Sequence, residues 1–399
     1  MDGRLKNMRL FIFGSTGDLV RHKVIAGLEK SRIKNLEVFA IGRRNITREE
    51  YIGLACTEDC SESFKKKINY IACELDESCF LNNLTPLLKK EDIKNFTPLL
   101  KKEDINFFYI ALPPHLLKYL IPYFSYFKKK GFKIKILMEK PFGENLKDAI
   151  KLKRIIKKNN MEDDVFISDH YLFKTTVKNI KYKDFKEIKM VSLEKVGLKG
   201  RTEYYDRVGA LGDMVQNHFL NIIFKIIKNP EKEFKNFKII KYERGQYGNG
   251  KNTGYIKELG RKSNTETFVH LIIETKKRKH EFMTGKAFDE KISFIEIDKK
   301  RINLNTSENP YSGIFRDFFS FKKENFPTME NSILAWKIIS KIKKIKKPKL
   351  NYYKENTSSE LVLKTLSPWG NIKNGRPVDG RINKGKTNYK ESRDEDNRY

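Results

Sequence analysis

Over roughly the first 160 residues, short apolar runs alternate with longer stretches in which apolar positions recur every three to four residues. Met8 to Phe13, Leu36 to Ile41, Asn106 to Leu112 and Lys133 to Met138 are such runs. A near-continuous apolar run of that length is the mark of a strand buried on both faces of a sheet. Leu146, Ala149, Ile150, Leu152, Ile155 and Ile156 fall on one side of a helix, which predicts a helix from about Leu146 to Lys158. Beyond residue 165 the strands lengthen. Ile188 to Glu194, Phe268 to Thr275, His280 to Thr284 and Ile292 to Ile297 read as strands, with helices over Leu211 to Ile227 and around Ile333 to Ile345. That mixture predicts an antiparallel sheet backed by helices. Residues 371–399 are rich in Gly, Asn, Lys and Arg with little that is apolar, and are expected to form a disordered tail.

The punctuation between the first strands points to a nucleotide. The first run ends in Gly14-Ser15-Thr16-Gly17-Asp18-Leu19, followed by a helical stretch to about Lys30. A strand, a tight glycine turn and a helix aim backbone N–H groups at a phosphate. The second run ends in Gly42-Arg43-Arg44, where such a unit reads the adenosine ribose. An acidic residue there accepts from a free 2′-hydroxyl, whereas a guanidinium pairs with a 2′-phosphate, so Arg43 favours NADP over NAD. The solvated basic loop is the plain alternative. Glu139-Lys140-Pro141-Phe142-Gly143 follows the run ending at Met138, at the carboxyl end of a strand, where an open parallel sheet binds its ligand; Lys140 is therefore expected to meet both cofactor and substrate. The fold class is an α/β Rossmann N-terminal domain over residues 1–165 plus an α+β C-terminal domain over residues 166–370 with a mainly antiparallel sheet. Within the first, the segment Thr85 to Ile93 returns unchanged as Thr97 to Ile105. Two short copies are too few for a solenoid, and the duplication over 85–106 is expected to lengthen a surface connection.

Composition narrows the partners. The 82 Lys and Arg against 51 Asp and Glu leave a net charge of +31, but the basic residues are spread along the chain without a nucleic-acid module. Most read as solvated lysine faces whose field favours anionic small molecules, and nucleic acid is not an expected partner. Cys56, Cys60, Cys73 and Cys79 contain no Cys-x-x-Cys pair and fit no common zinc spacing, so they are expected to be free thiols and no metal is expected. No run approaches the roughly 18 apolar residues of a membrane span, and the N-terminus lacks a signal-peptide pattern. The expected location is cytoplasmic.

The candidate chemistry lies in two stretches. Gly209 to Leu220 reads as an apolar helix carrying Asp213 and His218. A histidine with an unperturbed pKa of about 6.5 is suited to accept a proton at neutral pH; a core histidine satisfied by a neighbour is the plain alternative. Phe166 to Lys174 adds Asp169, His170, Tyr171 and Lys174. If this second stretch begins a helix, His170 and Lys174 share a face suited to one phosphate. On an ideal α-helix Asp213 and His218 stand about 140° apart, so one ligand meets both only across the helix end.

Taken in order, these motifs resemble those of glucose-6-phosphate dehydrogenases: Gly14-x-x-Gly17-Asp18-Leu19 with Lys23, Ala111-Leu-Pro-Pro114, Glu139-Lys-Pro-Phe-Gly143, Asp169-His-Tyr-Leu172 with Lys174, Tyr204-Tyr-Asp206, Gly209-Ala-Leu211, Asp213-Met-Val-Gln-Asn-His218 and Gly285-Lys-Ala287. The resemblance covers most of the chain up to about Lys291. It implies oxidation of glucose 6-phosphate at C1 to the 6-phosphogluconolactone with NADP, the entry to the oxidative pentose phosphate route, by a cytosolic homodimer. It also implies roles. His218 is the base and Asp169 holds its imidazole; Lys140, His170, Tyr171, Lys174, Glu194, Asp213, Lys286 and Lys291 bind substrate. Gly14, Ser15, Thr16, Gly17, Asp18, Leu19, Arg43 and Lys140 bind the cofactor.

Several positions depart from the family pattern. Phe173 stands where the family usually has Gly, Thr175 where it has Glu, Gly212 where an Arg precedes the aspartate, and Lys199 where a Glu precedes Gly-Arg. A bulky ring at 173, beside the phosphate ligands, is expected to reshape the pocket and change KM. Two other readings stand beside the first. One is a Rossmann sugar oxidoreductase of the glucose-fructose oxidoreductase type, which also carries Glu-Lys-Pro; the other is a divergent NADP- or sugar-phosphate-binding protein without turnover.

Overall fold

The computed structural model describes residues 8–56, 60–72, 99–180, 184–305, 308–345 and 347–369, with the backbone of 372–373 and 376–377. Six strands, β1 (Met8–Phe13), β2 (Leu36–Gly42), β3 (Ile68–Ala72), β4 (Ile105–Ile110), β5 (Lys133–Met138) and β6 (Val165–Ile167), form one sheet in the order β3-β2-β1-β4-β5-β6. All its pairings are parallel. The order reverses between β1 and β4, which opens a crevice at their carboxyl ends. The aromatic richness of the chain is spent here. Phe11 pairs in register with Phe39 and Phe108, and its ring stacks on theirs at 4.9 and 5.1 Å.

Seven further strands make the second sheet: β7 (Glu187–Leu193), β8 (Lys238–Tyr247), β9 (Phe268–Glu274), β10 (Lys279–Gly285), β11 (Ile292–Ile297), β12 (Lys300–Asn303) and β13 (Leu350–Tyr353), ordered β12-β11-β7-β10-β9-β8-β13. It is mainly antiparallel, as expected, with two exceptions. β7 runs parallel to β10 and β13 parallel to β8. The first exception matters, because the register Leu193 opposite Gly285 ends both strands at one level.

The two halves share a core. Helix Pro310–Phe319, which the hydrophobic pattern did not single out, lays Phe318 and Phe319 against Phe107 of the first sheet. Gly27 permits this approach, since a Cβ there would lie 2.3 Å from the Tyr311 Cβ. The next helix, Met329–Lys344, donates Trp336 Nε1–H to the Phe142 carbonyl at 2.9 Å. Among the described residues no helix is long and apolar enough to cross a membrane.

Three expectations are corrected. Cys56 and Cys60 are joined in a disulfide and are not free thiols; Cys56 stands just past the helix Arg48–Ala55. Cys73, Cys79 and most of the duplication lie outside the described residues, as does the tail apart from a short pairing of Ile372–Lys373 with Arg376–Pro377. The segment Leu211 to Ile227 is not one α-helix. It begins as a π-helix over Leu211–Phe219 and becomes α-helical only at Leu220–Ile226. Nor does a helix carry His170 and Lys174 on one face. Residues 170–173 form a turn, and Lys174, with φ −63° and ψ 132°, is the extended cap of the short helix Thr175–Lys178.

Candidate active site

The glycine turn after β1 is shaped by its neighbours. Gly14 has φ +78°, and a Cβ there would lie 2.5 Å from the Ala111 carbonyl at the end of β4. Gly17 N–H closes the turn on the Gly14 carbonyl at 3.0 Å, and Ser15, fully buried, leaves its hydroxyl without a protein partner. A bare backbone turn at the sheet's switch point, with an unused hydroxyl in it, fits a nucleotide's phosphates. Thr16 and Leu19 lie in the same turn, and Asp18 is engaged by Arg21. Arg43 and Arg44 stand exposed just past β2, and the Arg44 carbonyl accepts from Tyr70. No ion pair to either guanidinium is present among the described residues.

Asp169 and His218 meet directly. They are 1% and 2% exposed, and His218 Nδ1 lies 2.6 Å from Asp169 Oδ1. Asn221 Nδ2 donates to Asp169 Oδ2 at 2.9 Å, and the Tyr171 N–H donates to Oδ1 at 3.0 Å. An acceptor held this way accepts a hydrogen bond from Nδ1–H, keeping that proton on the ring and leaving Nε2 as the free base of a neutral imidazole. The electrostatics agree. Burial, reinforced by Lys140, pushes the His218 pKa well below the usual imidazole value. Burial pushes Asp169 up to about 6, against the pull of His170, Asn221 and Lys140.

The π-helix resolves the spacing of Asp213 and His218. Its backbone bonds run from i to i+5, as from Leu220 N–H to the Val215 carbonyl, so residues five apart stack on one side. Asp213 then faces the same cleft as His218, and each perturbs the other's titration. The parallel β7–β10 register delivers Glu194 and Lys286 side by side from adjacent strand ends. Lys286 Nζ donates to Glu194 Oε1 at 2.6 Å and lies 3.4 Å from Asp213 Oδ2. Burial raises Asp213, but Lys286, Lys140 and His218 outweigh it and hold the carboxylate below its usual range.

At the other end of the cleft, Lys174 donates to the Leu304 carbonyl at 2.8 Å and lies 4.3 Å from the centre of the Tyr171 ring. Burial, then the charges of Lys291 and Lys23, bring its pKa down to about 8. His170 packs its ring 4.8 Å from that of His218, and its pKa is pushed well down by burial and by His218. The residues that the sequence singled out for substrate are thus linked to one another by contact or charge, Lys140 through His218 and Lys291 through Lys174 and Lys23. Asp169, His170 and His218 also place potential ligand atoms within 4.8 Å of one another, although a metal there would have to displace the His218–Asp169 bond.

Sequence reasoning gave no role to four residues at the site. Lys23 lies one turn into the Rossmann helix yet belongs electrostatically with Lys291, Lys140 and Arg201. Asn221, three positions past His218, had a legible signal in that spacing. Glu139, half-buried next to Lys140, accepts from Tyr109 at 2.5 Å and from Tyr311 at 3.4 Å. Tyr311 had no local signal, since it arrives from a helix distant in sequence. The Phe173 ring, finally, does not point at the cluster around Lys174. It packs on Phe326 at 4.9 Å and over Gly313, where a Cβ would lie 3.3 Å from its edge.

A dinucleotide-type crevice abutting a buried carboxylate–imidazole pair and a cationic cleft defines a Rossmann oxidoreductase acting on an anionic hydroxyl compound. Comparison with known proteins narrows the class. The family model for the glucose-6-phosphate dehydrogenase NAD binding domain matches residues 11–179 and that for the C-terminal domain matches residues 175–241. Glucose-6-phosphate 1-dehydrogenase of Borreliella burgdorferi is 29% identical, with 76% of this chain and 74% of that protein covered. The enzyme of the same name from Buchnera aphidicola subsp. Schizaphis graminum is 28% identical, with 74% and 71% covered. A solved glucose-6-phosphate dehydrogenase in complex with its substrate shares the fold at a TM-score of 0.69 and 19% identity, over 90% of this chain and 96% of that one. A Mycobacterium avium glucose-6-phosphate 1-dehydrogenase does so at 0.70 and 18%, over 88% and 94%. The chain belongs to the glucose-6-phosphate dehydrogenase family, and its activity is the oxidation of glucose 6-phosphate.

Proposed function

We propose that this chain oxidises the C1 hydroxyl of glucose 6-phosphate with NADP, using His218 as general base. The short contact from His218 Nδ1 to Asp169 Oδ1 at 2.6 Å is the observation that carries it. His218 Nε2 takes the hydroxyl proton, while Asp169 fixes the tautomer and stabilises the imidazolium that forms. Glu194 and Asp213 accept from the sugar hydroxyls, and Lys286 holds the two carboxylates together. Lys174, Lys23 and Lys291, with His170 and Tyr171, hold the phosphate, and Lys140 lies between sugar and cofactor. The turn Gly14 to Leu19 would hold the cofactor's phosphates and Arg43 its 2′-phosphate. When bound, the nicotinamide supplies the hydride acceptor. A homodimer and a cytoplasmic location belong to the same proposal, and light scattering of the purified chain checks the first.

The test is the rate of reduced-nicotinamide formation with glucose 6-phosphate, run with NADP and with NAD, and with unphosphorylated glucose as control. Turnover confined to the phosphorylated sugar and faster with NADP is expected. Turnover of glucose at a similar kcat/KM would overturn the phosphate site, and preference for NAD would overturn the role of Arg43.

A further inference from the structure

The π-helix that aligns Asp213 with His218 needs something to hold its register, because π geometry is rarely stable over more than one turn. Its start is fixed by a feature with no part in the chemistry. Gly209 breaks the preceding helix with φ 67° and ψ 174°, and the carboxylate of Glu266 sits against it. A Cβ at 209 would lie 2.5 Å from Glu266 Oε1. Glu266 then grips the first N–H groups of the new helix: its carbonyl accepts from Ala210 N–H at 3.0 Å and Oε1 faces Leu211 N–H at 3.5 Å. On its other side, Glu266 Oε2 takes Arg244 Nη2 at 3.1 Å and Nε at 3.3 Å. Arg244 is spanned in turn by the carbonyls of Asn264 and of Pro348, the latter at 3.3 Å. The two residues are 7% and 3% exposed.

We infer that Glu266, fixed by Arg244, is a positioning residue that sets the register of the π-helical segment and thereby the placement of His218 and Asp213. A carboxylate at a helix start satisfies N–H groups that have no intrahelical partner and complements the helix dipole. Here it does so at one point, through a glycine that leaves room for nothing else. Without it, the segment is free to relax to the α register, in which residues five apart diverge by about 140°. His218 and Asp213 then no longer address one ligand. The phosphate end, built from other elements, is unaffected.

The inference rests on His218 and Asp213 acting together as proposed above, so its test includes a readout independent of turnover. Removing one partner alone would leave a buried charge and threaten folding. The informative variant is therefore Glu266→Leu with Arg244→Met, compared with Glu266→Gln with Arg244→Met, which keeps an acceptor facing Leu211. For the first, kcat is expected to fall by about 10²-fold or more, the cost of an ångström-scale misplacement. KM for glucose 6-phosphate should stay within about threefold of the parent, in keeping with an unaltered phosphate end. The downfield N–H resonance of the His218–Asp169 bond, assigned by its loss in His218→Asn, should shift or vanish. The Gln variant should recover part of both kcat and the resonance. A folded Glu266→Leu/Arg244→Met protein with parental kcat overturns the inference, as does an unchanged resonance. So does a loss of melting temperature with kcat and KM changing in parallel. An inactive parent would instead fail the functional proposal, and the resonance would still decide the positioning role.

Discussion

Lys174 and Lys286 stand at the two ends of one cleft in opposite electrostatic conditions. Lys286 is 3% exposed and already has its counter-charges, Glu194 and Asp213, which raise its pKa in spite of its burial. Lys174 has no carboxylate within ion-pair distance among the described residues, and burial together with Lys291 and Lys23 depresses it to about 8. A lysine that is paired in the free protein orients its partners. A cluster of cations whose neighbouring acids, Glu194 and Asp169, only partly offset it keeps a repulsion that, on the proposed reading, a dianionic phosphate relieves on binding. On the proposed assignment, the end around Lys286 is therefore preorganised by the protein, and the end around Lys174 is completed by its ligand.

Between the two ends, His218→Asn should have the largest effect. It keeps a side chain able to bond Asp169 but removes the base, so kcat is expected to fall by roughly 10²- to 10⁴-fold. KM should change little, because neither the Lys174 nor the Lys286 end is touched. A near-parental kcat would show that the base lies elsewhere and that the contrast between the ends has no catalytic centre.

Lys286→Met should come next. It leaves Glu194 and Asp213 without their shared cation, which raises the pKa of Asp213 and, on the proposed assignment, misplaces the sugar. A fall of about 10²-fold in kcat/KM is expected, with a stability loss of roughly 1–3 kcal/mol, below the roughly 3–5 kcal/mol of a fully buried pair because Glu194 is partly solvated. Lys174→Met should differ in both respects. Loss of a charge-assisted phosphate contact worth about 1.5–3 kcal/mol raises KM roughly 10- to 100-fold with kcat nearly intact. The free protein should become slightly more stable, because a repelled cation is gone. Stability changes of the same sign in the two variants would break the comparison.

The same contrast has a pH signature. The ordinary lysine value is 10.5 and Lys174 is depressed in the fold to about 8, so between these values the unfolded chain binds more protons. Stability of the free protein then rises with pH across that window. Over the same window the ammonium is lost, and kcat/KM for glucose 6-phosphate should decline above about pH 8. Lys174→Met should remove the share of that rise that belongs to Lys174, leaving the part due to the other depressed lysines such as Lys23. A profile for unphosphorylated glucose that declined identically would place the titrating group outside the phosphate end.

Much of this was legible in the sequence, and the exceptions share one physical cause. The parallel strands were visible because strands buried on both faces are continuous apolar runs, and Asp169, His218 and Lys174 because their residue types at those spacings resemble a family. What was missed depends on contacts remote along the chain. The π-helix cannot be read from Leu211 to Phe219, whose apolar spacing suits an α-helix equally well; it is held from outside by Glu266 and Arg244. Tyr311 reaches Glu139 from 172 positions away, and Lys23 joins the phosphate cations because the Rossmann helix abuts the second domain. The pairing of Cys56 with Cys60 was hidden by a spacing that matches no common motif.

Phe173 gives the smallest expected effect on catalysis and tests whether proximity in sequence was misleading. It is flanked by Leu172 and Lys174, yet its ring lies in the core against Phe326 and Gly313, with Lys178 Nζ 5.7 Å from its centre. Phe173→Gly restores the residue usual in the family. If the ring shaped the phosphate end, KM would fall and approach that of a less crowded site. Because it fills space on the far side of the turn instead, KM and kcat should both stay within about twofold while stability drops by roughly 3–5 kcal/mol, the cost of emptying a phenyl-sized core site. Adding Gly313→Ala should return a small part of that loss in the Phe173→Gly background, since the new methyl points into the vacated space. The same substitution in the parent should destabilise, because its Cβ would press on the ring at 3.3 Å. A lowered KM in Phe173→Gly would instead show that the turn 170–173 transmits core packing to the phosphate cations.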